Sequence, residues 1–240
     1  MIKCLQVLLC AFVVACSIGS CGNGCVECVE VDAYNEIVSK DGLKVIYPNF
    51  AKIDLVCGTM PSKSDTTVIL VAEAAYTEKK LDRFEHTNIA GEYVAGGVRY
   101  NGYSCERNTG AFVYYNGSWR YCHKNYSNEL DSAALYGGAA FAQELIIKDG
   151  ELLETGRKDL DFSVFRALCE RSGRLCVIES ESWTTFGRFK MKLQKMGVEN
   201  AIYLDMGRGW NYSWYRVSAG VVELHPKTHN YCTNWITFYK

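Results

Sequence analysis

Three dipeptides ending in glycine constrain this chain more than any other feature. Asn116-Gly117, Asp149-Gly150 and Ser172-Gly173 each stand between two β-prone arms, in AFVYYNGSWRYC, ELIIKDGELLE and VFRALCERSGRLCVIES. A two-residue loop of this kind suits a type I′ turn, whose positive φ angles match the twist of the strands it joins. Each segment therefore predicts a hairpin. Leu43 to Pro48 and Thr66 to Tyr76 read as further strands, and the second is apolar enough to be expected near the centre of a sheet. With 240 residues, three prolines and no repeat or low-complexity block from 33 to 240, the pattern predicts one strand-rich domain with its own core.

One helix interrupts the strands. Phe186, Phe189, Leu193 and Met196 recur at steps of three and four, while Arg188, Lys192 and Lys195 lie on the other side. Thr184 or Thr185 suits the N-cap and Gly197 a left-handed stop. The helix lies between two apolar runs, Leu175 to Ile178 and Ala201 to Leu204. A strand–helix–strand unit of this length predicts two parallel strands in one sheet, their carboxyl ends on the same edge. The expected class is α/β in the broad α+β sense: a single domain with a mixed, strand-rich central sheet, several hairpins and flanking helices. Glu179 and Glu181 leave the first of these strands and Asp205 leaves the second. In such sheets ligands sit in the crevice beyond the carboxyl ends.

The N-terminus carries an address. MIKCLQVLLCAFVVACSIGSC has one early cation, Lys3, and an apolar run that closes in small residues before Cys21. The run is short for a membrane span. Ile18-Gly19-Ser20-Cys21 resembles a bacterial lipobox, in which the cysteine becomes lipid-modified; Val13-Val14-Ala15-Cys16 is a second candidate. The expectation is a signal peptide over 1–20, a lipid-anchored tether over 21–32 and a folded domain over 33–240. Such a protein is exported, membrane-anchored through lipid or else secreted. A formal net charge of −1 supplies no general attraction to nucleic acid.

Four of the twelve cysteines fall in the signal or at its end. The other eight are scattered, so buried thiols with one or two bridges are expected, and Cys169 and Cys176 flank a turn. Cys25-x-x-Cys28 has no second pair, and His225-x-x-x-His229 contains Pro226, which spoils ligand spacing on a helix. There is no dinucleotide fingerprint, phosphate loop or G-x-S-x-G elbow.

The carboxylates carry more information. Glu73 interrupts an apolar strand, where an acid is costly unless paired. Asp205 ends the run Ala201 to Leu204 and opens DMGRGW. Arg208, flanked by glycines, and Arg166, in a half-apolar strand, have the planar fork that suits phosphate or carboxylate. Trp210, with Tyr212, Trp214 and Tyr215, suits either a sugar-stacking platform or a core.

The order of these elements resembles the phosphodiester glycosidase domain family. In that pattern a hydrophobic strand ends in Asn-Gly-Gly-aromatic, a Gly-Gly element precedes a "dG" hairpin, an arginine strand precedes a second hairpin, and a helix leads to a strand ending in LDGGGS. The counterparts here are Ala72 to Thr77, YGGAAFAQELIIKDGEL, FRALCERSGRLCVIES and LQKMGVENAIYLDMGRGW, spanning roughly Leu43 to Tyr215. Asp205 and Arg166 match residue for residue. Glu73-Ala74-Ala75 replaces Asn-Gly-Gly, and Asp205-Met206-Gly207-Arg208-Gly209 replaces the glycine-rich run.

The resemblance implies hydrolysis at the anomeric carbon of a sugar held through a phosphodiester, with a phosphorylated glycan as partner. Asp205 or Glu73 would be the carboxylate that orients water. Arg166 and Arg208 would clamp the phosphate, and Trp210 and Asn211 would contact the sugar. Glu179 or Glu181 would serve as a second acid or hold a divalent cation; no cofactor is demanded. The rival expectation is a non-catalytic glycan-binding surface lipoprotein, which would present an open aromatic platform built on Trp210 and Trp214.

Overall fold

The computed structural model describes residues 14–15, 27–78, 84–226 and 231–240. Cys21, Cys25 and His229, and nearly all of the 1–20 segment, lie outside the described residues. Strands dominate, arranged in one nine-stranded sheet, two five-stranded sheets and a two-stranded ladder. The two α-helices among the described residues are Ser127–Leu135 and Phe186–Lys195. The architecture is thus mainly β, and the α/β label fits it only loosely.

All three expected hairpins form. Gly110–Tyr115 pairs with Ser118–His123, Leu145–Lys148 with Glu151–Leu152, and Arg166–Arg171 with Arg174–Ser180. Both residues of each turn have positive φ, for example 53° at Ser172 and 67° at Gly173, as the type I′ geometry requires. Asp41-Gly42 makes a fourth such turn, between Asn35–Lys40 and Leu43–Pro48. The nine-stranded sheet also takes in Cys28–Val31, part of the stretch read as a tether.

The helix Phe186–Lys195 forms as its periodicity predicts. Thr185 caps it by accepting a hydrogen bond from the Arg188 N–H, and Gly197 follows at φ 76°. Phe186, Phe189 and Leu193 are buried among Ile178, Val198 and Tyr203. Each such side chain contributes about 1.5–3 kcal/mol by leaving water. The helix Ser127–Leu135 has no counterpart in the expectations. Its SNELDSAAL sequence buries only Leu130 and Ala133, so its apolar face is too narrow to read as periodicity.

The strand–helix–strand unit departs from expectation in an instructive way. Arg174–Ser180 and Val198–Leu204 do run in the same direction, but Arg166–Arg171 lies between them, antiparallel to both. No parallel ladder forms between named strands among the described residues, so the sheet is not mixed. The hairpin at Ser172-Gly173 inserts its first arm into the gap that the helix crossover leaves. As a result, the start of that arm, Arg166, reaches the edge where its neighbours end, with Glu179 and Leu204 as register partners.

The five-stranded sheet Gly220–Leu224, Ser213–Val217, Val68–Glu73, Asn234–Tyr239, Lys52–Cys57 carries Val68–Glu73 at its centre. That strand is buried along its whole length, as its apolar run anticipates. Ile69, Leu70 and Ala72 from this sheet share one core with Leu168, Val177 and Ile202 from the larger sheet.

Candidate functional site

The site lies where these two sheets end against each other. Asp205 follows Val198–Leu204, Glu73 closes Val68–Glu73, and the Asp205 N–H donates to the Ala74 carbonyl at 3.0 Å. Asp205 is 6% exposed and Glu73 fully buried. Burial drives both carboxyl groups upward. For Asp205 it outweighs the backbone amides of Gly207 and Met206 and the charges of Arg157 and Arg107, and the group titrates near about 7. For Glu73, burial and then the neighbouring Asp205 push the group well above the usual carboxylate range. Glu73 Oε1 accepts from the Thr233 N–H at 3.3 Å. Its Oε2 accepts no hydrogen bond among the described residues.

The DMGRGW loop is shaped by close approaches at its two glycines, tight at Gly207 and closed to any side chain at Gly209. Gly207 donates its N–H to Asp205 Oδ1 at 2.9 Å, and a Cβ there would stand 3.3 Å from both that oxygen and the Trp210 ring. Gly209 has φ 95°, and a Cβ on it would lie 2.2 Å from Tyr231 Cδ2. Tyr231 returns its N–H to the Gly209 carbonyl at 3.0 Å and packs its ring 4.8 Å from that of Trp210. Arg208 is exposed, and Trp210 and Asn211 are half-buried. Trp214, Tyr212 and Tyr215 are buried core residues, so DMGRGW and the aromatics after it make no open platform.

Arg166 is fully buried and committed. Its Nε donates to Glu179 Oε2 at 2.7 Å, and one terminal nitrogen donates to Ser213 Oγ and the Asn211 carbonyl. Glu179 Oε1 meets His225 Nε2 at 3.0 Å. Burial alone would raise Glu179, but Arg166 and His225 outweigh it and hold the carboxyl down at about 2. Glu179 is thus a permanent counter-ion for Arg166. Ser213 Oγ also accepts from the Glu73 N–H at 3.2 Å, which couples this ion pair to the Glu73 strand. Glu181 is exposed and accepts a hydrogen bond from Ser39 Oγ at 2.8 Å, away from this cluster. No group of three His, Cys, Asp or Glu among the described residues is arranged to hold a metal ion. All seven described cysteines are free thiols, with Cys169 and Cys176 directly opposite each other.

A second buried cluster, absent from the expectations, adjoins Asp205. Glu144 is fully buried, and its Oε2 accepts from the Tyr76 hydroxyl at 2.8 Å. Arg157 donates to that same hydroxyl at 2.8 Å and lies 4.5 Å above the Tyr203 ring. Arg157 and Arg107 are the cations that act on Asp205. Glu144 had a legible signal: an acid inside the apolar run AAFAQELII, the same pattern that marks Glu73. Arg157 had none, because ETGRKD reads as an ordinary turn.

No family model and no curated protein matches the sequence. Its fold does have solved counterparts. The catalytic domain of zebrafish N-acetylglucosamine-1-phosphodiester alpha-N-acetylglucosaminidase, auto-inhibited by its pro-peptide, superposes with a TM-score of 0.60 at 11% identity, covering 96% of this chain and 88% of that one. A hypothetical protein from Synechocystis superposes with a TM-score of 0.52 at 11% identity, over 90% of this chain and 62% of that one. The chain is therefore similar in fold to a phosphodiester glycosidase catalytic domain.

Proposed function

We propose that the protein is a hydrolase that cleaves the glycosidic bond of a sugar carried on a phosphodiester, acting as an exported protein held to the membrane by lipid on Cys21. The observation that carries this reading is the pair of interacting, buried carboxyl groups, Asp205 and Glu73, at the strand ends of a fold similar to a phosphodiester glycosidase. An Asp near pH 7 is suited to take a proton at neutral pH, whereas an ordinary Asp is too weak a base. Burial and the neighbouring Asp205 push Glu73 in the same direction, which disfavours a second buried charge beside Asp205.

In the proposed reaction Asp205 orients a water and accepts its proton as the oxygen bonds to the anomeric carbon. The bond from that carbon to the phosphodiester oxygen breaks, and its electron pair leaves on a phosphate monoester. That leaving group has a second pKa of about 6. It departs without the strong general acid that an ordinary glycosidase needs. Arg157 and Arg107 supply positive charge near the acid, and the exposed Arg208 stands at the rim, where an anionic substrate would arrive. Arg166 is occupied by Glu179, so on this reading it braces the Glu73 strand through Ser213.

The deciding experiment is a turnover assay on a panel of glycosyl-1-phosphate diesters, run with and without a chelator. Release of free sugar and phosphate monoester supports the reading. Failure on every member, with the fold intact, refutes it.

A further inference from the structure

Three large apolar side chains on one short stretch of surface stand in water: Leu160 is 84% exposed, Phe162 61% and Trp183 65%. Phe162–Ser163 pairs with Thr184–Thr185 in the two-stranded ladder, which sets the Phe162 and Trp183 rings 5.6 Å apart. Leu160 precedes Phe162 by two residues. This segment is not a loose loop. The Asp159 and Asp161 carbonyls accept from the Gly187 and Phe186 N–H groups at 2.9 and 2.8 Å, which pins it to the start of the helix Phe186–Lys195. Rings held out rigidly gain free energy only when something covers them, and clustered exposure of this kind marks a contact surface.

The register of the nine-stranded sheet says what lies nearby. Cys28, Ser39, Lys44, Glu179, Arg166 and Leu204 are successive cross-strand partners in one row. The chain before Cys28, Trp183 four residues after Glu179, and Phe162 four residues before Arg166 all lie beyond the same end of that row. Ser39 Oγ donates to Glu181 Oε1 at 2.8 Å across this end. Three strand spacings, about 14 Å, separate the strand of Cys28 from that of Glu179. Cys21 precedes Cys28 by seven residues, and a segment of that length reaches up to about 25 Å. Lipid on Cys21 and the exposed rings therefore reach one plane. Charge adds no preference there: among the exposed residues around the rings, Lys158 and Arg188 balance Asp161 and Glu181.

We propose that Leu160, Phe162 and Trp183 form a bilayer-contact patch that seats this end of the sheet on the membrane surface. The patch rests on the proposed lipidation of Cys21 for its tether and makes no use of the hydrolase chemistry. A tryptophan suits the boundary between head groups and acyl chains, because its ring is apolar and its N–H polar. A lipid tether alone holds the protein near the bilayer and leaves its orientation free; a second, apolar contact fixes it. The row that runs from Cys28 ends at Leu204, next to Asp205. A seated protein therefore turns the sheet end that carries Asp205 towards the membrane.

The test mixes the full chain with phosphatidylcholine vesicles whose acyl chains carry bromine near the head group, a contact quencher of tryptophan. Quenching is expected in the wild type and is expected to vanish in Trp183→Tyr, although the other four tryptophans remain. Phe162→Asp, with an unchanged circular dichroism spectrum, should weaken the quenching titration about 10-fold or more. Added salt or anionic lipid should change it little. No quenching at millimolar lipid, quenching that survives Trp183→Tyr, or a dimer in sedimentation that Phe162→Asp dissolves overturns the patch; the last would mean that a second copy covers it. The readings it rests on fail separately. The mass of the purified protein reports lipid on Cys21, and if that is absent the unmodified chain is still expected to show Trp183 quenching at millimolar lipid. Hydrolysis of a soluble glycosyl-1-phosphate diester should be the same in Phe162→Asp as in the wild type, and its absence from both sinks the hydrolase and leaves the patch.

Discussion

The Asp205 N–H donates to the Ala74 carbonyl at 3.0 Å, and this bond joins the residue just beyond the strand Val198–Leu204 of one sheet to the residue just beyond the strand Val68–Glu73 of another. Asn234 reinforces the junction from the side: its side chain accepts from the Ala75 N–H at 2.8 Å and donates to the Ala75 carbonyl at 3.0 Å. Both candidate carboxylates thus stand on backbone that is hydrogen-bonded at its ends, and their separation follows from sheet packing. A site built this way needs little rearrangement on binding, which favours electrostatic preorganisation.

If Asp205 takes the proton from water, Asp205→Asn removes the base while keeping the shape. We expect kcat/KM on a glycosyl-1-phosphate diester to fall by about 10²-fold or more, with an unchanged circular dichroism spectrum. Hydrolysis near the wild-type rate would take Asp205 out of the chemistry.

The same residue gives stability a pH dependence of definite sign. Asp205 titrates at about 7 in the folded protein against an ordinary 3.8. Between those values the folded state holds a proton that the unfolded chain has released, so stability declines as pH rises from 3.8 to about 7. The change is on the order of 4 kcal/mol. Glu73 shifts in the same direction. Chemical denaturation of Asp205→Asn at pH 5 and pH 8 is expected to show a shallower slope than wild type, with the variant more stable at pH 8. Activity moves the opposite way, rising with pH towards neutrality as the carboxylate forms.

Glu179 behaves in reverse. Its folded value of about 2 lies below the ordinary 4.5, so its contribution is complete above 4.5 and is lost as pH falls towards 2. Glu179→Ala strands the Arg166 cation in the interior and should cost about 3–5 kcal/mol. Replacing Arg166 and Glu179 together by apolar residues of similar volume should recover much of that loss. Urea midpoints at pH 7 measure both effects, and an additive double variant would contradict the pairing.

Gly209→Ala meets two obstacles, the φ of 95° and the Tyr231 ring 2.2 Å from the new Cβ. The backbone strain alone should cost about 1–3 kcal/mol. Adding Tyr231→Ala removes the clash and leaves the strain, so the double variant should be more active than Gly209→Ala alone. Equal activity in the two would show that the ring does not shape the loop.

How much of this was legible depended on the range of the interactions. The hairpins, the Phe186 helix and the buried Val68–Glu73 strand rest on local signals: turn dipeptides, periodicity and an apolar run. Glu73 and Asp205 stood out because an acid at the end of an apolar segment is locally anomalous, and the structure brings the two together. What escaped was long-range. No periodicity tells Arg166–Arg171 to slip between two strands that a helix connects. Nor does any pattern in ETGRKD place Arg157 beside residues 13 and 81 positions away. The exposure of Arg208 is equally silent, since a glycine-flanked arginine reads alike on a rim or in a pocket.

The arm that begins at Arg166 turns back at Ser172-Gly173, six residues along, about 20 Å from the carboxylates at the rise of an antiparallel strand. No side chain at that turn takes part in the site. It is therefore a natural handle: a fluorophore, an affinity tag or a surface-tethering group placed there would report on or immobilise the protein without disturbing the chemistry at the other end.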